Sequence, residues 1–166
     1  MQKVVLQLLA DNNTGVLSRI SGLFSRRGYN IESITAGVTA DPKYSRITIV
    51  TCGDEEIIEQ IEKQVAKLED VRDIKELPGD SSVHRELCLV KVRTAPSERE
   101  NMVSLAGIFR GSIIDVGPDS VIIEITGTTS KVDAFINLLD GHEILEVART
   151  GIAGLSRGSE NVTYLP

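Results

Sequence analysis

Asn12, Asn13, Thr14 and Gly15 stand directly before a run in which Val16, Leu17, Ile20, Leu23 and Phe24 recur at the spacing of one helical face. The first N–H groups of a helix have no acceptor within it and carry partial positive charge, so a carboxylate fits there. Gly15 has no Cβ and lets a ligand approach the backbone. The Asn12 amide can accept from an ammonium or donate to a carboxylate. Val16, Leu17 and Ile31 offer apolar surface to an aliphatic side chain. Together these suit a small amino acid. The plainer alternative is a well-capped helix start, with Thr14 or Asn13 accepting a first-turn N–H.

No arrangement for catalysis accompanies them. His84 and His142 have no Cys or His at metal-ligand spacing and read as surface or linker histidines. There is no G-x-S-x-G elbow, no P-loop and no G-x-G-x-x-G after a strand. Glu55, Glu56, Glu59, Glu62, Glu69 and Asp70 alternate with lysines and read as a solvated helix face. The expectation is no catalytic residue, no metal site and no cofactor on this chain.

The elements that must position the loop follow from periodicity. Lys3 to Leu9 reads as a central strand, followed by a helix ending at Arg26-Arg27-Gly28, where cations suit the dipole and glycine suits the stop. Strands are expected at Asn30–Val38, Arg46–Cys52 and Val71–Leu77, with a helix opened by Gly53-Asp54 and striped by Ile57, Ile58, Ile61, Val65 and Leu68. Residues 79–83 have linker composition, which separates a domain at 1–78 from one at 84–166. The second half repeats the order: a strand at Glu86–Arg93, then a helix from a Ser97–Glu100 capping box to Gly111. Strands flank Gly117-Pro118-Asp119, a helix capped by Thr128, Thr129 or Ser130 runs to Gly141, and a last strand covers Ile144–Arg149. Both halves are βαββαβ, an α+β chain with two helices on one face of each four-stranded antiparallel sheet. A half of this size buries little core alone, so pairing of two copies is expected to cover its edges and its other sheet face.

The chain has 166 residues, a formal net charge of −6 and no Trp. An acidic chain poor in aromatics argues against a nucleic-acid binder. Cys52 and Cys88 lie far apart and each reads as a buried thiol rather than half of a disulfide. No leader pattern or bilayer-length apolar run is found, which points to a reducing, cytoplasmic setting, that of the bacterial cytosol.

The turn Asp11-Asn12-x-x-Gly15-Val16-Leu17 and the stretch Arg27-Gly28-Tyr29-Asn30-Ile31-Glu32-Ser33 resemble an ACT domain, a ferredoxin-like module that senses small molecules. More narrowly, the chain is similar to the regulatory small subunit of acetohydroxyacid synthase, also called acetolactate synthase. The likeness extends through Phe109-Arg110-Gly111, Ile114-Asp115-Val116 and Val147-Ala148-Arg149-Thr150-Gly151 to Leu155-Ser156-Arg157-Gly158. This resemblance implies an N-terminal ACT domain that pairs with a second copy, followed by an ACT-like C-terminal domain. It implies an effector site of Asn12, Gly15, Val16 and Leu17 from one subunit with Asn30 and Ile31 from its neighbour. It implies activation of a catalytic large subunit carrying thiamine diphosphate, Mg2+ and FAD, and feedback inhibition by valine or another branched-chain amino acid. Contact with that partner is expected in the stretches holding Arg110, Arg149 and Arg157. Two rivals remain at this point. A free-standing sensor acting on a transcription regulator lacks its helix-turn-helix, and a small ferredoxin-like enzyme or RNA binder lacks catalytic residues and sheet aromatics.

Overall fold

The computed structural model describes residues 1–160 and Val162. It divides into two compact units, one made of residues 1–84 with the chain from Gly151 onward, the other of residues 85–150.

In the first unit, β1 (Gln2–Asp11), α1 (Val16–Arg27), β2 (Ser33–Val38), β3 (Tyr44–Gly53), α2 (Glu55–Ala66) and β4 (Val71–Glu76) follow in order. The strands make an antiparallel sheet in the spatial order β2-β3-β1-β4. Alternation along β1 sends Val4, Leu6, Leu8 and Ala10 to the helical side, where they meet Ile20 and Phe24 of α1 and Ile58, Ile61 and Val65 of α2. The Asp54 carboxylate caps α2 by accepting the Ile57 N–H at 2.9 Å. Gly28 ends α1 in the left-handed region at φ 69°, as its position after two arginines predicts. Glu59 and Lys63 pair one turn apart on the solvent side of α2.

The second unit takes most of β5 (Ser82–Arg93), then α3 (Arg99–Ile108), β6 (Ser112–Val116), β7 (Ser120–Gly127), α4 (Thr129–Leu138) and β8 (Ile144–Arg149). The spatial order is β6-β7-β5-β8. Val90, Ile123, Ile125, Met102, Val132 and Phe135 fill its core, and Phe109 meets Phe135 edge to face at 5.3 Å. Thr128 caps α4 and Gly141 turns the chain after it at φ 86°.

The chain departs from the sequence expectation at several places. The capping box at Ser97–Glu100 does not form. Pro96–Glu98 makes a short 3₁₀ turn, α3 starts at Arg99, and no side chain caps it. Proline at the head of that turn fixes φ and needs no donor, so Ser97 is already inside the turn rather than at its cap. Residues 79–83 are not all linker, because Ser82 and Val83 already belong to β5. Cys88 is buried as expected, whereas Cys52 is half-buried with its Sγ 2.8 Å from the Glu32 carboxylate.

The chain from Gly151 also does not stay with the second half. Ile152 packs with Val5, Val50 and Leu77 on the sheet face opposite the helices, and β9 (Ala153–Ser156) pairs with β5. The buried Gln7 amide donates to the Gly154 carbonyl at 2.9 Å. The tail therefore covers part of the sheet face for which the sequence invoked only a second copy. Positions 161 and 163–166 of the expected C-terminal domain lie outside the described residues.

Candidate functional site

Asp11, the last residue of β1, is held by Arg72 of β4 through two parallel bonds of 2.7 Å. That fork keeps the Asp11 carboxyl below the usual carboxylate range. The next residue, Asn12, donates its backbone N–H to the Lys43 carbonyl and its side-chain amide to the Pro42 carbonyl. Its side-chain oxygen lies 3.3 Å from the Ser45 hydroxyl. Asn12 thus ties the loop before α1 to the β2–β3 turn.

Gly15, not Thr14 or Asn13, occupies the cap position of α1, and no side chain caps the helix. This corrects the sequence expectation. The physical reason is torsional: Gly15 has φ 86°, a left-handed backbone that glycine takes at little cost. Arg19 stands over the turn, paired with Asp70 at 2.6 Å and donating to the Thr14 carbonyl at 3.4 Å.

A cavity of about 330 Å³ opens at this helix start. Asn12, Gly15, Val16 and Leu17 line it, as do Asp11, Ser18, Ala36 and Ile47. Val16 is buried, while Leu17 is 48% exposed, a large apolar side chain with only part of its surface covered. Ala36 and Ile47 come from β2 and β3, positions that loop chemistry does not flag. They are neighbours because β2 and β3 pair with Ala36 opposite Ile47. Asn30 and Ile31 do not line this cavity within the chain. They precede β2, which starts at Ser33 rather than at Asn30, and Ile31 leans on the helical core. The Asn30 carbonyl accepts the Thr51 hydroxyl.

The three arginines of the expected partner surface differ. Arg110, in the left-handed region at φ 55°, follows α3 and is exposed. Arg157 is exposed, with its backbone N–H bound to the Ser81 carbonyl. Arg149 pairs with Glu86 at 3.1 Å and Asp133 at 2.7 Å, which raises its pKa, so it already braces β8 against β5 and α4. Among the described residues no group of three or more His, Cys, Asp or Glu side chains is placed to hold a metal ion. None of the described helices is long and apolar enough to cross a membrane.

A family model described as an AHAS small subunit-like ACT domain matches residues 6–73, and one for the small subunit of acetolactate synthase matches residues 85–158. The acetolactate synthase isozyme 3 small subunit of Salmonella typhimurium is 50% identical over 157 residues, covering 94% of this chain and 96% of that one. The chain belongs to the acetolactate synthase small-subunit family. The isozyme 3 small subunit of Escherichia coli is 48% identical over 94% of this chain and 96% of its own. A crystal structure of the small subunit from Thermotoga maritima has a TM-score of 0.89 at 43% identity, covering 96% of this chain and 99% of that chain. Membership places the first βαββαβ unit as the ACT domain and makes the chain a regulatory, non-catalytic subunit that partners a large subunit in branched-chain amino acid biosynthesis.

Proposed function

We propose that this small subunit activates a cytosolic, thiamine diphosphate-dependent large subunit and confers feedback inhibition by valine. The observation that carries the reading is the uncapped start of α1, which opens at Gly15 into a cavity with apolar walls. The ligand carboxylate meets the first N–H groups of α1, and its aliphatic side chain meets Val16 and Leu17. Asn12 fixes the loop and presents its amide to the polar end. Asn30 and Ile31 of a second copy close the site, so the ACT domains act as a pair. Thiamine diphosphate, Mg2+ and FAD belong to the large subunit, and none is assigned to this chain. Arg110 and Arg157 are surface cations offered to that partner, and Arg149 holds β8 in place.

Effector and partner are coupled only if valine favours one arrangement of the complex over another, and a coupling of about 1–3 kcal/mol gives strong inhibition. Isothermal titration of valine into the full chain tests the site, with Gly15→Asp and Asn30→Ala alongside. Saturable binding to the wild type, abolished by Gly15→Asp and weakened by Asn30→Ala, is the expected result. A Gly15→Asp complex with the large subunit that is still inhibited at the wild-type valine concentration would overturn the assignment.

A further inference from the structure

We propose that α3 packs antiparallel against the α3 of a second copy, centred at the level of Leu105. The second unit then makes a copy-to-copy contact of its own, apart from the pairing read for the ACT domains. The outer face of α3 differs from that of α2, where Glu55, Glu56, Glu59 and Lys63 are exposed. From Asn101 to Phe109 the chain carries no charge, and Val103 and Ile108 are 56% and 71% exposed. Opposite charges stand at the two ends, Glu100 in the first turn and Arg110 just past the last. Both are exposed, and among the described residues neither side chain makes an ion pair or hydrogen bond.

Two residues here are of types that the chain's own packing does not call for. Gly107 lies on the exposed stripe with Glu100 and Val103, at helical spacing. Its φ is not positive, and an added Cβ would meet nothing within 4 Å. Neither torsion nor space within the chain asks for glycine, and alanine would favour the helix. Arg110 takes the left-handed backbone at φ 55°, the conformation that Gly28 supplies after α1. A side chain there is strained, and this one bonds nothing in the chain. A neighbouring helix accounts for both choices: Gly107 lets its backbone come close, and Arg110 meets its charge.

The register identifies that helix as a second α3. Laid antiparallel about Leu105, each Arg110 comes level with Glu100 of the other copy, and each Val103 with the gap at Gly107. The contact is two-fold and self-complementary, with an ion pair at either end of a seam about 15 Å long. Val116, 57% exposed on the edge strand β6, extends the apolar patch beside the start of α3, because Arg99 ties that start to the Gly117 carbonyl. Strand pairing is not the mode of contact. The register of β6 shifts at Ile114 and the strand carries Asp115, both of which oppose edge-to-edge joining. The β2 edge has neither feature. Arg110 has five N–H donors at the rim of the seam, so a carboxylate of the second copy leaves others for the large subunit.

Cysteine cross-linking in the full chain is the test, with Ser104→Cys as reporter because Ser104 is exposed one residue from the centre of the seam. The parent chain, with only Cys52 and Cys88, is the blank. Mild oxidation with copper–phenanthroline should give a covalent dimer of Ser104→Cys and little of the parent. Adding Arg110→Glu or Glu100→Arg to the reporter should lower the yield severalfold, since either reversal sets like charges against each other at both ends. Mixing the two reversed chains should restore it, because one then carries Glu at both positions and the other Arg. Both positions are exposed and unpaired, so the variants are expected to fold, which circular dichroism checks. The proposal is overturned by a Ser104→Cys yield no higher than the parent's, by a yield that neither reversal lowers, or by a mixture that restores nothing. Arg110→Glu that abolishes activation of the large subunit while the cross-link persists would give the patch to the large subunit instead. Valine titration of the same variants reads the ACT site separately.

Discussion

Gly15 and Gly111 both sit beside a helix end, yet different forces reserve them for glycine. At Gly15 the constraint is torsional, φ 86°, and an added Cβ would meet only the movable end of Arg19 at 2.9 Å. Gly15→Ala is therefore expected to cost about 1–2 kcal/mol of stability, whereas Gly15→Asp adds a charge that repels the effector carboxylate. At Gly111 the constraint is space, because a Cβ would lie 2.2 Å from Ile125 Cδ1 and 2.8 Å from the Glu124 carbonyl oxygen. Gly111→Ala should lower stability by about 1–3 kcal/mol, read as a drop in melting temperature, and leave valine titration unchanged. Asp11 sets an acid dependence. Its folded pKa is lowered, first by the hydrogen bond from Arg72, so its contribution is complete above the ordinary aspartate value and fades as pH falls through the lowered one. Asp11→Asn should thus reduce the melting temperature near neutrality, with the gap to the wild type closing in strong acid. A constant gap would assign the loss to something other than the charge. The residue types of the loop were legible in the sequence because turn formers and glycine are local signals. Which of four consecutive turn formers takes the half-helical position was not, since that depends on how Asn12 and Arg19 tie the loop down.

Elements whose ends are set by their own neighbours could be read in advance. Asp54 and Thr128 cap α2 and α4, and Gly28 and Gly141 follow α1 and α4 where periodicity stops. Elements that depend on distant partners could not. The tail strand β9 has four residues, two of them exposed, and carries no alternation strong enough to announce it. It exists because the sheet face it covers needs covering, and its bond to Gln7 joins residues 147 positions apart. The spacing of Gly151 and Gly154 was the available signal. A Cβ on Gly151 would lie 2.8 Å from the Thr35 hydroxyl oxygen, and one on Gly154 2.9 Å from Leu77. Gln7→Leu should leave the Gly154 carbonyl without its buried donor, at a cost of about 1–3 kcal/mol. Faster amide exchange across Ala153–Ser156 and faster trypsin cleavage after Arg157 would register the loosened tail. Unchanged exchange would mean that apolar packing at Ile152 alone retains it.

Among the described residues each unit has a buried core of its own. Phe135→Ala should therefore weaken the second unit by about 3–5 kcal/mol and leave valine binding to the first intact. Loss of binding in that variant, with the first unit still folded, would show that the two cores are coupled. The repeat of βαββαβ was visible from periodicity, but the return of the chain after Thr150 was not, and this return alters what a domain means here. Residues 85–150 leave the first unit and come back to it, and Leu87 and Thr150 are bonded where that excursion closes: each backbone N–H is bound at 3.0 Å, Leu87's to the Thr150 hydroxyl and Thr150's to the Leu87 carbonyl, and the hydroxyl donates to that carbonyl at 3.3 Å. In genetic terms the second unit is an insertion in the first. A gene fragment ending at residue 78 would encode the helices and sheet of the ACT unit but strip its far face, baring Val5, Val50 and Leu77 to solvent and to aggregation. A faithful dissection would splice residue 84 to residue 151 through a short linker, and would release 85–150 as a chain whose two ends already meet.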